Sequence, residues 1–101
     1  MAKKRRSAQR PANQVLFSLG QLCATPAALE VLTPEDIQSA LARHLRGDWG
    51  DVCQEDKELN NMALLSDTRL LSAYKTPSGK KFWIITEADR SLTTVLLPED
   101  Y

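Results

Sequence analysis

The C-terminal third of the chain carries three β-rich runs joined by short turns. The runs at 69–76 (RLLSAYKT) and 80–87 (KKFWIITE) are separated by PSG, with proline early and glycine late, as hairpin turns prefer. EADRS forms the second turn, and the third run, LTTVLLP, ends at Pro98. The pattern predicts a three-stranded antiparallel meander.

Both faces of this meander are predicted to be apolar. Alternation along KFWII sends Phe82 and Ile84 to one face and Trp83 and Ile85 to the other. A half-exposed antiparallel sheet would show one polar side. Because helices can cover only one face in so small a protein, the other must meet the N-terminal strand, a second subunit or a host partner. We therefore predict that Trp83 or Phe82 lies in a contact surface, most simply in a homodimer.

Before the meander the sequence predicts one strand and two helices. VLFSLGQLCA, at 15–24, is typical of a strand interrupted at Gly20. Thr25 and Thr33 are each followed by proline, the arrangement of an N-cap and a first helical residue. Gly47 follows the second of these helices and is expected to end it.

A third helix is predicted after a corner at residues 44–54. Asp51 with Gln54 fits a variant of the capping box, so the helix should start there and run to about Leu65. We expect its inner side to be formed by four residues: Val52, Leu59, Met62 and Ala63. The whole order predicts an α+β fold, with two to three N-terminal helices packed on a three- to four-stranded antiparallel sheet.

Charge divides the chain into two parts. Five basic residues lie in the first ten positions, whereas the rest of the chain has eight basic and 13 acidic side chains, a net charge of −5. We expect residues 1–13 to form a disordered basic tail and residues 14–101 to form a single α+β domain. The tail is either a solvated leader or an arm for non-specific nucleic acid or an acidic partner. Its candidate contacts are Lys3, Lys4, Arg5, Arg6 and Arg10.

Several functional classes are not expected. No apolar run approaches the roughly 20 residues needed to span a bilayer, and the basic start lacks an apolar segment after it. We therefore expect a cytoplasmic protein without a membrane partner. Cys23 and Cys53 stand 30 residues apart, and the chain has one histidine. This does not fit the spacing of a zinc site, so we expect no metal and no cofactor.

The corner at residues 44–54, HLRGDWGDVCQ, concentrates more unusual and potentially reactive side chains than any other stretch of the sequence. His44 with Asp48 or Asp51 could form a base and its orienting carboxylate, although no nucleophile is evident from the spacing. The structural interpretation is that glycines turn the chain and Trp49 fills the gap between two helices. We favour the structural interpretation and assign no catalytic residue.

The turn TEADRS follows the most apolar strand. Glu87, Asp89 and Arg90 form either a solvated hairpin tip with local hydrogen bonds or a recognition loop on a rigid sheet. Together with the aromatic residues they complete the set of candidate partner-binding residues: Trp83, Phe82, Glu87, Asp89, Arg90 and Trp49.

The segments RHLRGDWGDV, RLLSAY, FWIITEADRS and VLLPEDY, taken in this order, resemble a family of small bacterial proteins of plasmids and integrative elements, labelled plasmid-related protein. The resemblance covers about residues 16–101. It implies a mobile-element context and no particular reaction. A looser similarity of element order links the chain to RelE/ParE-type toxins, but the acidic body lacks their concentration of basic groups.

Three hypotheses follow. The first is a non-enzymatic interaction module of a mobile element, which binds a host protein or nucleoprotein complex and so counters host defence; the acidic body could occupy a basic groove. The second is a RelE/ParE-type toxin that acts on RNA or gyrase. The third is a nucleic-acid-binding accessory protein that acts through the basic tail.

Overall fold

The computed structural model describes residues 14–101, and the predicted basic tail, with its five candidate nucleic-acid contacts, lies outside them. A short strand is followed by three helices, three strands and a final 3-10 turn. In chain order these are β1 (Gln21–Ala24), α1 (Pro26–Val31), α2 (Pro34–Leu45), α3 (Gln54–Ser66), β2 (Leu70–Lys75), β3 (Lys81–Thr86), β4 (Leu92–Leu96) and a 3-10 helix (Pro98–Asp100).

The α+β fold is confirmed, and the predicted meander forms β2, β3 and β4. The sheet order is β1-β4-β3-β2. The sheet is mixed rather than purely antiparallel, because β1 runs parallel to β4. The helices are inserted between β1 and β2 instead of all preceding the sheet. The chain between β1 and β4 is therefore long, as a parallel pair of strands requires, whereas the antiparallel strands β2, β3 and β4 need only tight turns.

The first two helices begin where the sequence predicts. The Thr25 hydroxyl oxygen accepts from the Ala28 amide at 3.1 Å, which caps α1. Thr33 and Asp36 form a reciprocal capping box, with both side chain-to-amide distances at 3.0 Å. Helix α2 ends at Leu45, and Gly47 follows with a positive φ of 83°, as expected of a glycine just beyond a helix.

Helix α3 departs from the prediction at its start and in its orientation. Its N-cap is Cys53 and not Asp51. The reason is that the Asp51 amide donates to the Ala73 carbonyl of β2 at 2.7 Å, which holds residue 51 against the sheet. On the expected inner side, Ala63 is buried but Leu59 and Met62 are 60% and 64% exposed.

The helices cover one face of the sheet. A first core cluster lies between α1, α2 and the sheet, and a second joins α3 and the corner to β2. Alternation in β3 is as predicted, since Phe82 lies in the first cluster while Trp83 points to the other face. Asn60, not predicted to face inward, is 5% exposed.

The opposite face is partly covered by the end of the chain. The 3-10 helix contacts β3, and the Tyr101 ring meets the Trp83 ring edge-on at 5.6 Å. The Tyr101 hydroxyl accepts from the Arg69 guanidinium at 2.8 Å. The Asp100 carboxylate accepts from the Thr25 hydroxyl at 2.6 Å, which ties this segment to the start of α1. None of the helices described is both long and apolar enough to cross a membrane.

Candidate functional site

His44 is fully enclosed between α2 and the sheet. Its Nδ1 lies 2.6 Å from the Ser72 hydroxyl and its Nε2 lies 2.9 Å from the Thr86 hydroxyl. Phe17 and Trp49 pack edge-on against its ring, at centroid distances of 5.2 and 5.6 Å. At 0% exposure the ring has no surface that a substrate could reach in this conformation.

The hydrogen bonds beyond His44 determine which ring nitrogen carries the proton. Thr93 donates to the Leu19 carbonyl at 2.7 Å, so its hydroxyl oxygen accepts from Thr86 at 2.7 Å. Thr86 has then used its proton and must accept from Nε2–H of His44. Nδ1 is therefore unprotonated and accepts from Ser72. Burial, assisted by the positive charge of Arg90, lowers the pKa of His44 to about 4, which keeps the ring neutral.

The carboxylates of the corner do not orient His44. Asp48 instead forms a bidentate ion pair with Arg43, whose Nε and Nη2 donate to the two carboxylate oxygens at 2.7 and 3.1 Å. This pairing lowers the pKa of Asp48. Asp51 is exposed and its backbone pairs with β2. The geometry agrees with the structural interpretation of the corner, because the aspartates and the histidine serve separate contacts.

The TEADRS turn is held by hydrogen bonds within the turn and by bonds to α3 and to the loop that follows α3. The Arg90 guanidinium donates to four backbone carbonyls, those of Ala63 at 2.8 Å, Thr68 at 2.7 Å, and Glu87 and Ala88 at 3.1 Å. Asp89 accepts from the amide and hydroxyl of Ser91. Arg90 therefore binds α3 to the turn, and a partner that contacted its guanidinium would have to displace these carbonyls.

The three candidate aromatic residues have different surroundings. Phe82 and Trp49 are 2% and 3% exposed, so their rings do not form a surface for a partner. Phe82 packs in the core beside Tyr74, and Trp49 donates to Asn61 at 2.9 Å while filling the corner. Trp83 is partly exposed and is the one of the three that is accessible.

One edge of the sheet, at β2, is closed by groups from outside the strand. The Asn60 side chain donates to the Leu71 carbonyl at 2.8 Å and accepts from the Leu71 amide at 3.1 Å. Trp49 and Asp51 pair their backbones with Ala73, at 3.0 and 2.7 Å. Gly50 makes this approach feasible, since a Cβ there would overlap the Ala73 carbonyl and its φ is 77°.

The other edge, at β1, is open within the described residues. Gln21 and Thr25 donate to the Ser91 and Val95 carbonyls of the β4 side, at 2.9 and 3.0 Å. Alternation then turns the backbone groups of Leu22 and Ala24 away from β4. No other described segment forms a strand on this side.

An apolar groove of about 340 Å³ lies beside this open edge. Seven residues of β1, α1, α2 and their connection line it: Leu22, Leu29, Leu32, Pro34, Ile37, Gln38 and Leu41. Leu22 and Leu29 are 47% and 60% exposed. We refer to β1 with this groove as the open-edge surface. Sequence reasoning missed it, although the nearly all-apolar composition of α1 indicates a helix with more than one face to bury.

Comparison of the chain with family models, curated protein sequences and solved structures gives no significant match.

Within residues 14–101 no three side chains of histidine, cysteine, aspartate or glutamate are grouped as metal ligands would be. Cys23 is partly buried and Cys53 is exposed, and each is a free thiol.

Proposed function

We propose that this chain is a non-enzymatic protein-interaction module, which binds a partner protein by strand addition at the open-edge surface. The observation that carries the proposal is the contrast within one sheet between a closed β2 edge and a β1 edge left open beside an apolar groove. An extended segment of a partner would pair its backbone with Leu22 and Ala24.

The groove supplies specificity to such pairing. Successive side chains of an added strand point alternately to the two faces of the sheet, so every second one would be directed to the helix-covered side where the groove lies. An apolar partner side chain would cover Leu22 and Leu29 there. Burial of apolar area stabilises such a contact by roughly 25 cal/mol per Å². Because β1 is short, the groove must contribute much of the affinity.

The biological setting of this proposal rests on the resemblance to plasmid-related proteins. A module carried by a mobile element would bind a host protein or nucleoprotein complex, and a role in blunting restriction or CRISPR defence is consistent with that setting. The acidic body favours a partner with a basic surface around the segment that adds to β1.

The test is affinity capture of the full chain from a bacterial host, followed by mass spectrometry. Wild type is compared with Leu29→Asp, which puts a charge in the groove, and with Leu65→Asp as the matched control. Leu65 is 90% exposed on α3, so the same substitution there leaves the groove intact. We expect a specific protein to be retained by wild type and Leu65→Asp and lost by Leu29→Asp.

The proposal fails if no protein distinguishes wild type from Leu29→Asp, or if Leu65→Asp loses the same protein. Circular dichroism of both variants verifies that each is folded. Expression of wild type in cells without an antitoxin separates the RelE/ParE alternative, since growth arrest would favour a toxin and oppose the interaction module.

A further inference from the structure

The sheet face away from the helices holds a second cleft, at the β2–β3 hairpin. Its volume is about 380 Å³, and it is lined by Asp51, Ala73, Tyr74, Lys75, Lys81, Trp83 and Pro98. Lys75 and Lys81 are direct partners in the strand register, and Trp83 lies two residues further along β3 on the same face. The cleft therefore combines two ammonium groups with one accessible indole.

The two lysines carry like charges at directly opposed positions of β2 and β3. In β2 the backbone of Ala73 pairs outward, away from β3, and Lys75 has the same orientation two residues on. The Lys75–Lys81 pair is therefore of the non-hydrogen-bonded type, in which opposite side chains are closest. Like charges opposite one another destabilise a sheet. Within residues 14–101 neither lysine has a carboxylate within ion-pair distance, so both ammonium groups are available to an anion.

A bound anion would remove this repulsion, and Trp83 indicates what the anion carries. Tyr101 meets the indole edge-on, while the cleft borders the same indole. A planar base stacked on Trp83 would reach the lysines with its phosphate, since neighbouring same-face positions of a strand are about 7 Å apart. Aromatic stacking and cationic phosphate contacts together are characteristic of nucleotide recognition.

We propose that this cleft binds a mononucleotide, with the phosphate between Lys75 and Lys81 and the base on Trp83. A single nucleotide is favoured over a nucleic acid strand, because the described residues have a net charge of −5 and would repel a longer polyanion. Asp51 also lines the cleft, and its carboxylate opposes the phosphate. The cleft belongs to β2 and β3 and the open-edge surface to β1, so this inference is independent of the proposed protein partner.

The experiment is titration of the full chain with AMP, monitored by tryptophan fluorescence and by calorimetry. We expect saturable quenching, because Trp83 stacks with the base while Trp49 stays enclosed. Lys75→Gln and Lys81→Gln should each weaken AMP binding about tenfold, the effect of losing one charge-assisted hydrogen bond. Lys80→Gln, which makes the same charge change outside the cleft, should leave the affinity within about twofold.

Two further variants define the geometry. Asp51→Asn should tighten binding, since it removes the opposing carboxylate, and Trp83→Leu should weaken it about tenfold when measured by calorimetry. Leu29→Asp should bind AMP as wild type does, which separates this cleft from the open-edge surface.

Three results would overturn the proposal: no saturable binding of AMP, equal losses in Lys80→Gln and Lys81→Gln, or inorganic phosphate binding as tightly as AMP. A ten-nucleotide single strand tests the source of the ligand. Weaker binding of the strand than of AMP supports a free nucleotide. Tighter binding that Lys75→Gln and Lys81→Gln both weaken overturns the assignment to a mononucleotide, whereas strand binding that these variants leave unchanged arises outside the cleft, at the basic tail.

Discussion

The sheet ends at β2 on one side and at β1 on the other, and the two edges are finished by different means. At β2 the outward amide and carbonyl of Leu71 pair with the Asn60 side chain, and those of Ala73 pair with the backbone of Trp49 and Asp51. At β1 the outward groups of Leu22 and Ala24 have no strand beside them within residues 14–101.

The difference shows that closing an edge does not require another strand. One amide side chain supplies both a donor and an acceptor, and a glycine corner supplies the next pair. Open edges favour pairing with other chains, and proteins usually blunt them. An edge left open beside exposed leucines, in a molecule that pairs the outward backbone groups of Leu71 and Ala73 at its other edge, is the pattern expected of a binding surface.

The largest effect is expected from removing the residue that fills the corner at the β2 edge. Trp49→Ala should lower the free energy of unfolding by about 3–5 kcal/mol, because it leaves a cavity beside α3 and frees the segment that pairs with Ala73. Urea denaturation followed by circular dichroism measures the change. Trp83→Ala, on a partly exposed ring, is the control and should cost clearly less; equal losses would contradict the role given to the corner.

The next effect is a dependence of stability on pH. It concerns the hydrogen-bonded series Ser72–His44–Thr86–Thr93, which lies between the two edges of the sheet. The pKa of His44 is about 4 in the folded chain and near 6.5 when unfolded, so the unfolded chain binds the proton more readily. The contribution of His44 to the free energy of unfolding should be present in full above pH 6.5 and fall by about 3 kcal/mol as the pH drops to 4.

Chemical denaturation at a series of pH values measures this dependence. His44→Gln removes the titrating group, and its stability should change little between pH 6.5 and 5, where no other histidine titrates. A wild type with a flat profile in that interval would show that the ring is not held neutral by burial.

A smaller effect is expected from Asn60→Leu. This change leaves the amide and carbonyl of Leu71 unpaired and should cost about 2 kcal/mol. Glu58→Leu introduces the same apolar side chain at an exposed position of α3 and should be nearly neutral. Hydrogen exchange at the Leu71 amide is the sharper measurement, and unchanged protection in Asn60→Leu would oppose the edge-closing role of this asparagine.

The smallest effect on stability is expected at the open edge itself. Leu22→Pro removes an amide that faces away from β4 and should cost about 1 kcal/mol or less, while abolishing capture of a strand-adding partner. Cys23→Pro, at the neighbouring residue whose amide faces β4, should cost about 3 kcal/mol. Equal destabilisation by the two prolines would break the comparison between the edges.

Local signals in the sequence predicted much of the fold. The threonine–proline pairs fixed the starts of α1 and α2, and turn residues separated β2, β3 and β4. Alternation in β3 assigned Phe82 and Trp83 to opposite faces correctly. These features depend on residues close together in the chain, whose hydrogen bonds and side-chain period hold in any fold that contains the element.

The sequence by itself determined the α+β class, the two capped helices and the meander, because those follow from short-range geometry. Tertiary structure alone decided that Asp51 belongs to the sheet edge and that Asn60, rather than Leu59, faces inward. It also decided that β1 lies parallel to β4 and that His44 is enclosed by Ser72 and Thr86. The physical reason is that β2 presents unpaired amides and carbonyls which must be satisfied, and only the assembled sheet shows which distant residues can reach them.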